Sequence, residues 1–171
     1  MPLHARILGT FTIQTVSGVT QTFTTNFDSL DLSRLRSLQA QLSVSAAASS
    51  ASDSLDVKIQ DTLDGTTWGS RLRFLAVAGN QSASAGTPYV QRYTIENAVD
   101  LQSGERGYVP SGSASGSDLA AGTVLNGPFP PRYRTALGPQ PAWRVVAIQT
   151  NASDTALFTA TVTVLGQEWD T

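Results

Sequence analysis

Ser54-Leu-Asp-Val-Lys-Ile-Gln-Asp-Thr-Leu-Asp-Gly-Thr-Thr-Trp68 sets Leu55, Val57 and Ile59 against Asp56, Lys58 and Gln60. A period of two describes a strand with one dry face and one wet face. Asp64-Gly65 then supplies a tight turn, because Gly accepts positive φ and Asp bonds its own backbone. Trp68 opens a returning strand whose apolar side runs through Leu72, Phe74 and Ala76. The stretch is a β-hairpin, and its neighbours extend the theme.

Upstream, Ile7, Gly9, Phe11 and Ile13 alternate with Thr10, Thr12 and Gln14. After a Ser17-Gly18 turn, Val19 to Phe27 reads as a second strand rich in Thr and Phe. A polar corner at 29-34, a turn or a helical turn, leads to Leu38, Ala40, Leu42 and Val44 at period two. Leu30, Leu32, Leu35, Leu38 and Leu42 also fit one helix face, but the alternation runs longer. Downstream, Tyr89, Gln91, Tyr93 and Ile95 form a further strand. Trp143 to Thr150 is apolar in both registers, as expected of a strand buried on two sides. Asn151 to Asp154 is a turn. Phe158, Ala160, Val162, Val164 and Gly166 then give the core face of a last strand. Short strands separated by turn signals, with no strong helical period, predict an all-β fold, an antiparallel β-sandwich or jelly roll.

The chain has 171 residues, enough for one domain with a core, so 1-171 is taken as a single unit. Residues 96-142 break the pattern with seven glycines and six prolines, and form a long insertion. Its Tyr108, Val109, Val124, Leu125, Phe129, Tyr133 and Leu137 are too apolar for a free linker. Gly127-Pro-Phe-Pro-Pro-Arg-Tyr-Arg134 has a preset extended backbone that loses little entropy on docking. The insertion is expected at one end of the sandwich, lying on a neighbouring subunit; the alternative folds it back over its own sheet.

Charged residues are only 14 % of the chain, against roughly 25 % in soluble domains. A net charge of −2 and a pI near 5.2 argue against a nucleic-acid partner. Ten of the eleven cations are Arg, with Lys58 the single lysine. There is no cysteine, hence no disulfide, thiolate metal site or Cys nucleophile. The first residues do not read as a signal peptide and no apolar run approaches the ~20 residues of a membrane span, so no membrane partner is expected.

Chemistry finds little footing. The single histidine, His4, lies beside the N-terminus without an evident orienting partner. Asp53, Asp56, Asp61 and Asp64 are the densest acidic group, but they fall at different points of a hairpin. Asp61-Thr-Leu-Asp64-Gly65 lacks the spacing of a calcium loop. No phosphate-cradling motif is present. We therefore expect no enzyme, no cofactor and no metal. Trp68 and Trp143 offer one alternative of another class, a sugar-stacking platform in a carbohydrate-binding module, set against a role as core or rim aromatics.

The succession Leu38-x-Ala40-x-Leu42-x-Val44, Leu55 to Trp68, Trp143-Arg-Val-Val146 and Phe158-Thr-x-Thr161-Val162-x-Val164 resembles small β-sandwich structural proteins of tailed-bacteriophage virions, including head decoration (auxiliary capsid) proteins and some neck or tail components. The resemblance covers about half of the elements, and the 96-142 insertion has no counterpart in it. It implies a capsid-stabilising subunit, commonly a homotrimer, bound to the lattice of the major capsid protein. It places the chain in a virion assembled in the host cytoplasm; a connector or tail-tube component is the alternative. It transfers no catalytic residue. Interface hot spots favour aromatics and Arg, which singles out Tyr108, Phe129, Arg132, Tyr133, Arg134 and Trp169, with Pro2 to Ile7 as a further contact segment. Deleting 127-134 is then expected to spare the fold and abolish assembly.

Overall fold

A computed structural model describes residues 5–14, 20–23, 32, 35–46, 52–62, 64–79, 89–97, 118–127, 129, 133–135, 138–140, 143–150 and 158–168. Among the described residues twelve strands follow in chain order: β1 (Ala5–Gln14), β2 (Thr20–Phe23), β3 (Leu35–Ala46), β4 (Ser54–Asp61), β5 (Gly69–Arg73), β6 (Val77–Ala78), β7 (Tyr89–Glu96), β8 (Thr123–Val124), β9 (Tyr133–Thr135), β10 (Gly138–Gln140), β11 (Trp143–Thr150) and β12 (Thr159–Glu168). One sheet has the order β1-β12-β3-β7. A second has the order β2-β11-β4-β5-β8, with β6 paired to β4 at the end that β5 leaves open. All their pairings are antiparallel. β9 and β10 form a separate two-stranded ribbon.

The two larger sheets share one core, which makes the protein an all-β antiparallel sandwich. Leu38, Leu42, Val44, Val162 and Val164 of the first sheet and Leu55, Val57, Ile59, Val145 and Leu72 of the second are all fully buried within one cluster. Their alternation with polar neighbours gives the strands their faces: β4 switches between buried and half-buried at every step, and β12 does so from Thr159 to Gln167. Removing such areas from water, at ~25 cal/mol per Å² of apolar surface, is the main favourable term in folding.

Three departures from alternation carry information. In β1 the register slips between Ile7 and Gly9, so Leu8 and Gly9 share the inner face and Ile7 is expelled to 65 % exposure. Strict alternation put Ile7 in the core; a β-bulge reverses the faces beyond it. In β5 a second bulge lies opposite Ile59 and Gln60. It leaves Arg71 as the extra residue, its guanidinium turned inward. Ala76, expected on the apolar side, is exposed. β11 buries one face completely, at Trp143, Val145, Ala147 and Gln149. On the other only Val146 is buried, Arg144 and Ile148 are half-buried and Thr150 is exposed, so burial on both sides, as its composition suggested, is only partial.

At one side of the sandwich the sheets are sewn together. The Gln91 side chain from β7 copies a strand pairing: its Oε1 accepts from Leu75 N at 2.9 Å and its Nε2 donates to Leu75 O at 2.9 Å. Phe74 and Tyr93 meet edge to face beside it, centroids 5.5 Å apart. Residues 118–127, with Phe129, cross the same side as a strap. β8 adds to β5, Leu125 N donates to Arg71 O at 2.8 Å, and Gly127 N donates to Glu96 O at 3.1 Å. Asn97, at the end of β7, donates to Leu35 O at 2.6 Å and accepts from Phe129 N at 2.8 Å. This part of the insertion therefore lies on its own sheets, where the sequence reading favoured a neighbouring subunit.

Candidate functional site

Two surfaces differ sharply in chemistry. The outer face of β2-β11-β4-β5-β8 holds a charged cluster built by the wet side of the β4–β5 hairpin. Asp56, Lys58 and Gln60 project from alternate positions of β4, and Ser70 and Arg73 come from β5. The strap adds Asp118. Arg73 Nε donates to Asp56 Oδ1 at 2.9 Å, and Lys58 Nζ stands 3.3 Å from Asp56 Oδ2. Lys58 also contacts Asp118 Oδ2, while Ser70 Oγ and Leu119 N donate to Asp118 Oδ1 at 2.6 and 2.8 Å. Arg73 Nη1 closes the ring on Leu119 O at 3.1 Å.

Burial pushes the Asp118 carboxyl up, but hydrogen bonds from Lys58, Ser70 and Leu119 N outweigh it and hold the group below its usual value. The hydrogen bond to Asp56 raises Arg73 against the opposing effect of burial. Lys58 and Asp56 are both mostly covered, at 13 % and 15 % side-chain exposure. Asp118 keeps 34 %.

Beside this cluster Arg144 lies over the Trp68 ring, 4.2 Å from its centroid, and its Nε donates to Gln60 Oε1 at 2.8 Å. Burial lowers Arg144, which nevertheless stays charged. Trp143 is 1 % exposed and packs edge to face on Phe129, centroids 5.1 Å apart. A platform made of Trp68 and Trp143 does not form: one ring is in the core and the other has a guanidinium over it.

The four acidic residues of the hairpin do not converge. Asp53 and Asp61 are buried, and Asp61 pairs with Arg71. Asp56 belongs to the cluster above. In the Asp64-Gly65 turn, where Gly65 takes φ 75°, Asp64 Oδ1 accepts from Thr66 N and Thr67 N at 2.8 and 2.7 Å. Its Oδ2 accepts from Thr67 Oγ1 at 2.9 Å. The Asp-Gly-Thr-Thr motif is thus a self-contained turn whose carboxylate is already occupied. Among the described residues no group of three or more His, Asp or Glu is placed to hold a metal ion.

The outer face of β1-β12-β3-β7 is the opposite in character. Reading across the strands, one row is Ile7, Leu165, Gln39 and Thr94. The next is Thr10, Thr163, Gln41 and Arg92, and a third is Thr12, Thr161, Ser43 and Val90. Arg92 is the one charge in these rows, and its Nε donates to Gln41 Oε1 at 2.7 Å. Ile7, at 65 %, and Val90, at 39 %, are exposed large apolar residues on this face. A shallow groove runs along it between Gln39, Gln41, Arg92, Thr94 and Leu165.

The contact residues singled out from the sequence fare unevenly. Phe129 is 4 % exposed and belongs to the core, so an exposed contact role for it is corrected. The proline-rich run around it suggested an outward loop, whereas the strap turns the ring inward. Tyr133 and Arg134 lie in β9, whose backbone alone is described. Tyr108, Arg132 and Trp169 lie outside the described residues, as do His4, the Ser17-Gly18 and Asn151–Asp154 turns and the strand extension to Phe27. Periodicity had no means of finding Lys58–Asp118 or Asp61–Arg71, since each joins residues from different elements.

No protein-family model matches this chain, and no curated protein matches it.

Proposed function

We propose that this chain is a structural subunit of a tailed-bacteriophage virion, a decoration protein that binds and stabilises the assembled head as part of a homo-oligomer. The resemblance of its strand pattern supplies the class. The observation that carries the reading is the asymmetry of the sandwich. One outer face satisfies its own charges in a closed network. The other is a threonine-, serine- and glutamine-rich sheet with exposed Ile7 and Val90. A neutral sheet of this kind is covered without desolvating many charges, and oligomer avidity multiplies its modest contacts.

On this reading the neutral face meets the major capsid protein lattice or a second subunit, while Arg132, Tyr133, Arg134, Tyr108 and Trp169 remain proposed contacts. The chemistry asks for no cofactor and no reacting substrate. Co-sedimentation of the purified chain with empty heads that lack it, together with its native mass, tests the assignment. Pelleting with the shells at saturable stoichiometry supports it, and failure to pellet rejects it.

A further inference from the structure

We propose that Lys58 and Asp118 are joined by an intramolecular amide bond, formed by the folded chain itself with Asp56 carrying the proton. Four observations on the outer face of the hairpin lead there. Lys58 is the only lysine in a chain with ten arginines. The other ion pairs described use Arg: Arg6 with Glu168, Arg71 with Asp61 and Arg73 with Asp56. Guanidinium serves wherever charge alone is needed; an amine differs in that it loses its proton readily and attacks carbon.

The surroundings match the needs of such an attack. The Lys58 amine contacts Asp118 Oδ2, so nucleophile and acceptor are already held together across 60 residues of sequence. Asp56 Oδ2, 3.3 Å from Nζ, is placed to accept a proton, and Arg73 holds that carboxylate from its other oxygen. Asp118 Oδ1 receives two donors, Ser70 Oγ at 2.6 Å and Leu119 N at 2.8 Å. Two donors on the oxygen where negative charge grows form an oxyanion hole.

The step balances from the ion pair. Asp56 takes one proton from the Lys58 ammonium and delivers it to Asp118 Oδ2, and the freed amine attacks Cγ of the carboxyl group so neutralised. Charge collects on Oδ1 against Ser70 and Leu119 N. Asp56 then takes the second nitrogen proton and passes it to the same Oδ2, the Cγ–Oδ2 bond breaks, and water leaves. An ammonium and a carboxylate become one amide and one water, and Asp56 is regenerated. No co-reactant is consumed.

The product fastens the strap to β4 and closes a long loop covalently. That constrains the unfolded chain as a disulfide does, in a protein that has no cysteine. The inference does not depend on the proposed virion role.

Mass spectrometry of the full chain, denatured, decides the matter. The expected mass is one water below that of the sequence, with a branched peptide linking Lys58 to Asp118 after proteolysis. Lys58→Arg keeps the positive charge and is expected to restore the full mass. Asp56→Asn is expected to leave both reactants uncondensed, so that Lys58 acylates with an amine reagent after denaturation. A wild-type chain of full mass with a reactive Lys58 overturns the bond. A water loss that persists in Lys58→Arg overturns it too, by placing the dehydration elsewhere, as at the Asp64-Gly65 turn. Condensation to the wild-type extent in Asp56→Asn overturns the proton-carrying role.

Discussion

Arg71 and Asp61 form an ion pair inside the sandwich, with side-chain exposures of 2 % and 0 %. The bulge in β5 turns the guanidinium inward, and the strap covers it: Leu125 N bonds the Arg71 carbonyl at 2.8 Å. Removing one member leaves a buried charge without its counterion, which costs about 3–5 kcal/mol. Asp61→Ala is therefore expected to lower the urea midpoint severely. The double change Arg71→Met with Asp61→Leu is expected to cost less than the single one, because no charge is stranded.

Phe129 holds the far end of the strap in the core against Trp143. Phe129→Ala should lose about 3–5 kcal/mol, as large-to-small changes in packed aromatic sites do. Near-ultraviolet circular dichroism should show the Trp143 signal diminish with it. Deleting 127-134 removes the same ring, so that deletion is expected to destabilise the fold as well as any assembly. A separable effect on assembly needs Arg132 and Arg134 changed with Phe129 retained.

Gln91 supplies two hydrogen bonds to the Leu75 backbone. In Gln91→Ala a donor and an acceptor of the chain lose their partners, at a cost of about 1–3 kcal/mol. Hydrogen exchange at the Leu75 amide should accelerate markedly, while amides in the middle of β4 and β11 keep their protection.

Asp64 is held below the ordinary carboxylate range, chiefly by the Thr67 and Thr66 backbone amides. A carboxylate depressed on folding stabilises the native state above its unfolded pKa, ~3.9, and loses that contribution as pH falls through its folded value. The turn should therefore keep its hydrogen bonds at pH 4. Carbon-detected NMR titration of the Asp64 carboxyl should find it still ionised there, when an unperturbed Asp is about half protonated. Gly65→Ala tests the same turn independently, since its φ of 75° costs an L-residue roughly 1–2 kcal/mol.

The sequence disclosed those features that repeat with a strand's period. The Leu55 to Ile59 strand, the Leu38 to Val44 strand and the Phe158 to Val164 strand appear where alternation put them, because each buries one complete face. Ile7 did not, since a single inserted residue at Leu8 reverses the pattern without changing composition. Arg71 escaped for the same reason, as a cation at a core position violates alternation unless its partner Asp61 is known. The strap was legible as apolar, yet its direction depended on three bonds at the sheet edge: Phe129 N to the Asn97 side chain, Glu96 N to the Asn126 side chain, and Leu125 N to the Arg71 carbonyl. Such partners meet only after folding, so no local pattern announces them. The Lys58 cluster had one sequence sign, the lone lysine, whose meaning required Asp118 beside it.

The proposed adhesive role rests on the neutral face of β1-β12-β3-β7, with Thr161 near its centre. Thr161→Arg adds a charge there without entering the core. Co-sedimentation with empty heads, wild type beside Thr161→Arg, measures the role directly. The account predicts that the wild-type chain pellets with the shells and that the folded variant remains in the supernatant. A wild-type chain that stays unbound, or a variant that pellets equally well, would contradict it.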